Sequence, residues 1–119
     1  VIYAAGSLAL AMLEKLVQRR NLRHTLMVEV EVPADLPIDD LTGALPPNWR
    51  ALGSPEAAAA GGQWLASKGA ALLKVPSALV PREANYLVNP QHRDASRLIV
   101  GRPEPLEWDA RLFGIPLPI

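Results

Sequence analysis

A helix with no polar face constrains this chain more than any other feature. Residues 1–17 read V-I-Y-A-A-G-S-L-A-L-A-M-L-E-K-L-V. Val1 to Ala5 form an apolar, strand-like run, Gly6 supplies a turn, and Ser7 is a helix N-cap. The helix that follows carries Leu8, Leu10, Met12, Leu13, Leu16 and Val17, with Ala9 and Ala11 between them. Such a helix belongs inside a domain. Glu14 stands within it. A carboxylate on a buried helix is paired, hydrogen-bonded or kept for chemistry, which makes Glu14 the first candidate functional residue.

The bulk numbers narrow the setting. With 119 residues, the chain suits one domain rather than two. A domain of this size buries about two-thirds of its unfolded surface, enough for a real core. Twelve Lys and Arg balance twelve Asp and Glu, which argues against a nucleic-acid binder relying on a broad basic field. A compact anion held by one or two arginines stays compatible. There is no cysteine, so disulfides and thiolate metal sites are excluded. No apolar run approaches the ~20 residues that span a bilayer, and no signal peptide is evident. A cytoplasmic setting is therefore expected. The chain opens directly inside an apolar strand with Val1, so a single domain over residues 1–119 is expected to be incomplete at its N-terminus.

Q-R-R-N-L-R-H (residues 18–24) suits a helix end, with Asn21 able to adopt a left-handed cap. His24 has no ligand partner at metal spacing, so no metal site is expected. Residues 25–33, T-L-M-V-E-V-E-V-P, alternate as a strand, with Leu26, Val28, Val30 and Val32 on the core face. Glu29 and Glu31 share the wet face, where solubility explains them better than paired-carboxylate catalysis. Residues 34–53 read as a loop punctuated by Pro37, Gly43, Pro46, Pro47 and Gly53. Trp49 anchors that loop, and Arg50 beside it is a surface arginine.

Ser54-Pro55-Glu56 starts a second helix: N-cap, proline at the first position, acid in the first turn. Gly61 and Gly62 weaken it by about 1 kcal/mol each relative to Ala, which suggests that another backbone passes close. Gly69 is its expected C-cap. Residues 70–75 read as a buried strand that runs into Pro76-Ser77-Ala78-Leu79-Val80-Pro81. The two prolines make a rigid place to present Ser77; no G-x-S-x-G context supports a hydrolase triad. A loop follows to about residue 95, then strands at 96–100 and 104–110 and a Pro-rich tail. There is no Gly-rich phosphate loop. The mixture of helices and short strands without regular alternation gives an α+β class.

Four stretches together resemble the RES domain family: I-Y-A-A-G-S-L-A-L-A-M-L-E, V-E-V-E-V-P, L-P-P-N-W-R with the Trp64 helix, and V-P-S-A-L-V-P-R-E-A-N-Y-L-V-N-P-Q-H. The D-A-R-L-F ending fits too, and the likeness runs through essentially the whole chain in order. The resemblance implies mixed small β-sheets with a buried N-terminal helix, in an ADP-ribosyltransferase-like fold. It implies a bacterial toxin that consumes NAD by hydrolysis or phosphorolysis, or passes ADP-ribose to a protein. The partner it implies is an Xre-type helix-turn-helix antitoxin, and a homodimer is expected.

By the same resemblance Glu14 and Ser77 match the family's Glu and Ser, and Tyr3 matches an aromatic of the pocket. Asn85 falls at a position linked with it. The family's Arg lies in an upstream Gly-Arg-Trp segment, and no arginine of this chain stands in that motif. That departure motivates an alternative, an inactive module that still binds antitoxin. The residue types suit cleavage of the nicotinamide–ribose bond, whose oxocarbenium-like state a carboxylate stabilises. Each has a plainer rival: a satisfied buried acid for Glu14, a turn residue for Ser77, core packing for Tyr3.

Overall fold

The computed structural model describes residues 1–51 and 54–114. Its strands are β1 (Ile2–Ala5), β2 (Leu26–Met27), β3 (Val30–Glu31), β4 (Ile38–Asp40), β5 (Leu72–Pro76), β6 (Ala84–Val88), β7 (Ile99–Val100) and β8 (Glu104–Pro105). Two α-helices, α1 (Leu8–Gln18) and α2 (Pro55–Ser67), and three short 3₁₀ turns complete the described residues. Four strands form the main sheet in the order β1-β6-β5-β4. β6 runs antiparallel to both neighbours, whereas β4 joins β5 in parallel. The class is α+β, as the residue pattern indicates.

Side chains alternate across a strand, and the sheet uses both faces. Leu72 and Val88 pack with Leu36 and Leu98 on one side. Leu73 and Leu87 pack with Trp64, Leu41 and Val75 on the other. Trp64 brings α2 onto this second face, and its indole N–H donates to Asp39 Oδ2 at 2.9 Å. Burying about 200 Å² of Trp makes it a strong anchor only because that polar edge is satisfied. α2 starts as the residues require: Ala57 N–H donates to Ser54 Oγ at 3.2 Å and Pro55 opens the helix. Its C-cap is Lys68, left-handed at φ 54°, not Gly69.

Helix α1 departs from expectation. Ser7 caps it, accepting from Leu10 N–H at 3.2 Å, but Leu10 is its one fully buried residue. Leu8, Leu13 and Val17 are exposed, because nothing among the described residues covers the side of the helix away from the sheet. Arg19 takes the left-handed C-cap at φ 54°, and Asn21, also left-handed, precedes the next turn. Gly6 is where β1 turns tightly past β6. Its N–H donates to Ala84 O at 3.0 Å, and an added Cβ would lie 3.1 Å from that oxygen.

The 25–33 segment is not one core strand. It splits into β2 and β3, which pair with β8 and β7 respectively, and Leu26, Val28, Val30 and Val32 are exposed. Two-residue ladders on different partners replace the continuous strand, so its alternation faces solvent rather than core. Residues 96–100 and 104–110 shorten likewise to β7 and β8, with 3₁₀ turns at Arg93–Arg97 and Ala110–Phe113. Trp108 pins this end by donating to Leu22 O at 2.8 Å. Two strands sit where loops are expected. β4 lies within 34–53, and β6, the hub of the sheet, lies within 76–95. Both are short, and β6 carries Asn85 and is bounded by proline-rich turns, so periodicity hardly marks it. Gly53 and most of the Pro-rich tail fall outside the described residues.

Candidate active site

The second face of the sheet floors a cleft of about 510 Å³. Tyr3, Leu87, Asn85, Leu73 and Val75 line it from the strands, Gly61, Gly62 and Leu65 from α2, and Trp49 from the loop before α2. That size falls in the ordinary range for small-molecule sites. Among the cleft-lining residues Glu14 bears the one charged side chain.

Glu14 reaches the cleft because it follows Leu10 by one helical turn and so shares its inward face. Half-buried, it meets two side chains from distant parts of the chain. Ser77 Oγ donates to Glu14 Oε1 at 2.8 Å, and Asn85 Nδ2 donates to the same oxygen at 3.1 Å. Among the described residues Oε2 takes no hydrogen bond, so one oxygen is fixed and the other is available. An ionised carboxylate has acceptor capacity to spare for such a division.

Ser77 is wholly buried and does not line the cleft. Its hydroxyl accepts from Leu79 N–H and Val80 N–H, both at 3.1 Å, while its proton goes to Glu14. A hydroxyl has one proton and two lone pairs, so Ser77 has no bonding capacity left. The turn is held further by Ser77 N–H to Glu83 O at 2.9 Å. In this arrangement Ser77 positions Glu14, its hydroxyl being fully engaged within the protein.

Asn85 shows a complementary imbalance. Glu14 fixes its amide, since turning Oδ1 toward the carboxylate would oppose two acceptors. Among the described residues Oδ1 is thereby left buried without a partner. An orphaned buried acceptor costs about 1–3 kcal/mol, and such costs concentrate where a site is being organised. Asn85 lies opposite Ala5 in the β1–β6 register, with Tyr3 opposite Leu87. Tyr3 is 76% exposed; it is a wall of the cleft, not core packing.

Gly61 and Gly62 are explained by the cleft rather than by a crossing backbone. A Cβ at either would meet nothing within 4 Å, so the two glycines keep the α2 wall shallow. Residue order gave no sign of this, because a missing side chain facing space and one facing a backbone look alike in sequence. Arg50 Nε donates to Ala78 O at 2.7 Å, tying the Trp49 loop to the turn after Ser77. Asn48 Nδ2 donates to Glu56 Oε2 at 2.8 Å, which ties the same loop to the first turn of α2. That bond, first among its causes, holds the Glu56 carboxyl below the usual range. Among the described residues no group of three His, Cys, Asp or Glu stands close enough to hold a metal. No helix among them is long and apolar enough to cross a membrane.

The arrangement is a single carboxylate, fixed through one oxygen, facing an apolar cleft with an aromatic wall. Such a site suits a ligand that carries or develops positive charge. Comparison with known proteins gives the family. Residues 1–109 match the family model described as "RES domain". The chain is 36% identical to the Prs ADP-ribosylating toxin of Sphingobium sp. (strain YBL2), over 95% of its own length and 74% of that protein's. It is 35% identical to the toxin Res of Yersinia enterocolitica, covering 93% of this chain and 76% of the relative. With the toxin Res of Pseudomonas putida the identity is 37%, over 95% and 79% of the two chains. With a family model covering most of its length and relatives above a third identical, the chain belongs to the RES domain family.

Proposed function

We propose that this protein is the NAD-cleaving domain of a bacterial toxin, with Glu14 as its catalytic carboxylate. The observation that carries the reading is the cleft-lining Glu14 side chain fixed through Oε1 by Ser77 and Asn85, with Oε2 free of hydrogen bonds among the described residues. In NAD the bond from ribose C1′ to the pyridinium nitrogen breaks, and its electron pair neutralises the departing nicotinamide. Positive charge builds on C1′ and the ring oxygen. Glu14 Oε2 stabilises that charge, or grips a ribose hydroxyl more tightly as it forms. A carboxylate pre-set by two hydrogen bonds does this without reorganising. The acceptor oxygen bonds to C1′ and loses its proton: water yields ADP-ribose, and phosphate yields its 1-phosphate ester. Tyr3 stacks on the nicotinamide ring.

A second acceptor has a specific motive, since the Sphingobium relative is named for ADP-ribosylation. A protein side chain would then take the place of water. The resemblance to the RES domain family implies an Xre-type helix-turn-helix antitoxin as partner, and a homodimer as the functional form.

The test is to incubate the protein with NAD and measure nicotinamide release with and without phosphate, and transfer of label from NAD to protein. Release of nicotinamide that Glu14→Gln abolishes supports the reading. NAD left intact sinks it, and tight antitoxin binding by such a protein would point to an inactive binding module instead.

A further inference from the structure

We infer that Trp49 is a substrate-binding residue of the Glu14 cleft, stacking on the adenine base of the dinucleotide; this rests on the NAD reading above. A tryptophan in a proline-rich loop ordinarily anchors the loop to the core. Trp49 does not. Trp64 and Trp108 each donate the indole N–H to a protein acceptor, Asp39 Oδ2 at 2.9 Å and Leu22 O at 2.8 Å. Trp64 belongs to a buried cluster, and Trp108 meets the Phe113 ring at 69° with centroids 6.3 Å apart. Half-buried Trp49 joins neither buried cluster, and among the described residues its indole N–H has no acceptor. Its side of the loop lines the cleft.

The loop is held without that ring. Asn48 Nδ2 donates to Glu56 Oε2 at 2.8 Å on one side of Trp49, and Arg50 Nε donates to Ala78 O at 2.7 Å on the other. The backbone also turns on itself, with Trp49 N–H donating to Pro46 O and Ala51 N–H to Asn48 O, both at 3.0 Å. A large ring on a braced turn binds at low ordering cost, since only its two side-chain torsions remain to be fixed.

The base follows from the order of groups across the sheet. Tyr3 stands on β1, one outer strand. Glu14 is bound by Asn85 of β6 and by Ser77 just past β5, so it lies over the middle strands. Trp49 comes from the far side, on the segment that follows β4, the other outer strand. Leu41 and Leu45 of that segment line the cleft with Ala57 and Ala58 of α2. Outer strands of a four-stranded sheet lie three spacings, about 14 Å, apart. NAD carries its groups in the matching order: nicotinamide, the C1′ where charge develops, then the remainder ending in adenine. With nicotinamide at Tyr3 and C1′ at Glu14, the ligand leads toward Trp49. Adenine is flat and neutral, which suits a surround of leucine, alanine and indole, and an aromatic face holds such a base by stacking.

Adenosine is the probe, because it carries the base and neither nicotinamide nor phosphate. It would be titrated calorimetrically into the protein and into the Trp49→Ala, Trp49→Leu and Trp49→Phe variants. Removing the stacking face weakens adenosine by about fivefold or more in the Ala and Leu variants, whereas Phe restores most of the affinity. A ring needed only as filler would be replaced by Leu as well as by Phe. In NAD cleavage the Ala variant raises KM and keeps kcat. Equal adenosine affinity in all these proteins, no adenosine binding by any, or rescue by Leu as full as by Phe overturns the assignment. So does a loss that falls on nicotinamide and spares adenosine. NAD cleavage with an unchanged KM in the Ala variant overturns it too, while leaving the cleavage reading standing. Adenosine binding that depends on Trp49 in a protein that leaves NAD intact supports the stack and removes the cleavage reading.

Discussion

The Ser77 hydroxyl donates its one hydrogen bond to Glu14 Oε1 at 2.8 Å, across 63 residues of chain. The contact joins the helix after β1 to the turn after β5, two elements that meet only because β6 pairs with both strands. It divides the labour of the site. Glu14 faces the cleft, and Ser77 faces Glu14.

Replacing Glu14 by Gln keeps size and shape and removes the charge. Nicotinamide release is expected to fall about 10²- to 10³-fold, the usual cost of losing a pre-set electrostatic contact. The urea midpoint should change little, since the amide oxygen of the new side chain still accepts from Ser77. Undiminished release at unchanged stability would remove Glu14 from the chemistry.

Ser77→Ala acts through its neighbours. It leaves Leu79 and Val80 N–H without their acceptor in a wholly buried position, so stability should drop by about 1–3 kcal/mol. Because Ser77 is buried and does not line the cleft, kcat should fall while KM for NAD stays close to its original value. A KM rise with kcat preserved would mean that Ser77 binds substrate directly.

Asn85→Ala separates the site from the fold. The substitution deletes the donor to Glu14 but also the buried, unpartnered Oδ1, and the two effects on stability offset each other. Denaturation should therefore shift by less than about 1 kcal/mol while turnover drops clearly. A loss of stability matching that of Ser77→Ala would contradict an orphaned acceptor.

Gly61 is expected to oppose stability and activity to each other. Gly61→Ala meets open space and gains helix propensity, so it should stabilise by roughly 0.5–1 kcal/mol. Gly61→Leu should project into the cleft and raise KM for NAD several-fold. Thermal melting and steady-state kinetics on the pair test this; a Leu variant that binds NAD normally would place the ligand elsewhere.

The Asn48–Glu56 contact makes the Trp49 loop sensitive to acid. Asn48 holds the Glu56 carboxyl below the usual range. A lowered folded-state pKa stabilises above the unfolded value and loses that contribution as pH falls through the folded one. A carboxyl NMR titration should therefore give Glu56 a midpoint below that of a free glutamate, moving up in Asn48→Ala. Identical midpoints in the two proteins would dismiss the contact.

What residue order determined was local. Ser7 and Ser54 as helix caps, Pro55 at a first helical position, the α+β class and the RES resemblance all follow from short-range chemistry. Glu14 stood out because an acid interrupts an apolar run. What it touches was beyond reach: Oε1 is bound by residues 63 and 71 positions away, and only the register of β1, β6 and β5 sets them side by side. The same limit hid β4 and β6, whose few residues carry too short an alternation to register, and it misplaced Leu8, Leu13 and Val17 in the core. Apolarity says that a face can be buried, whereas burial requires something to cover it. Only the tertiary structure decided that Ser77 is enclosed while Glu14 faces the cleft, since exposure belongs to the packed chain and not to the residue.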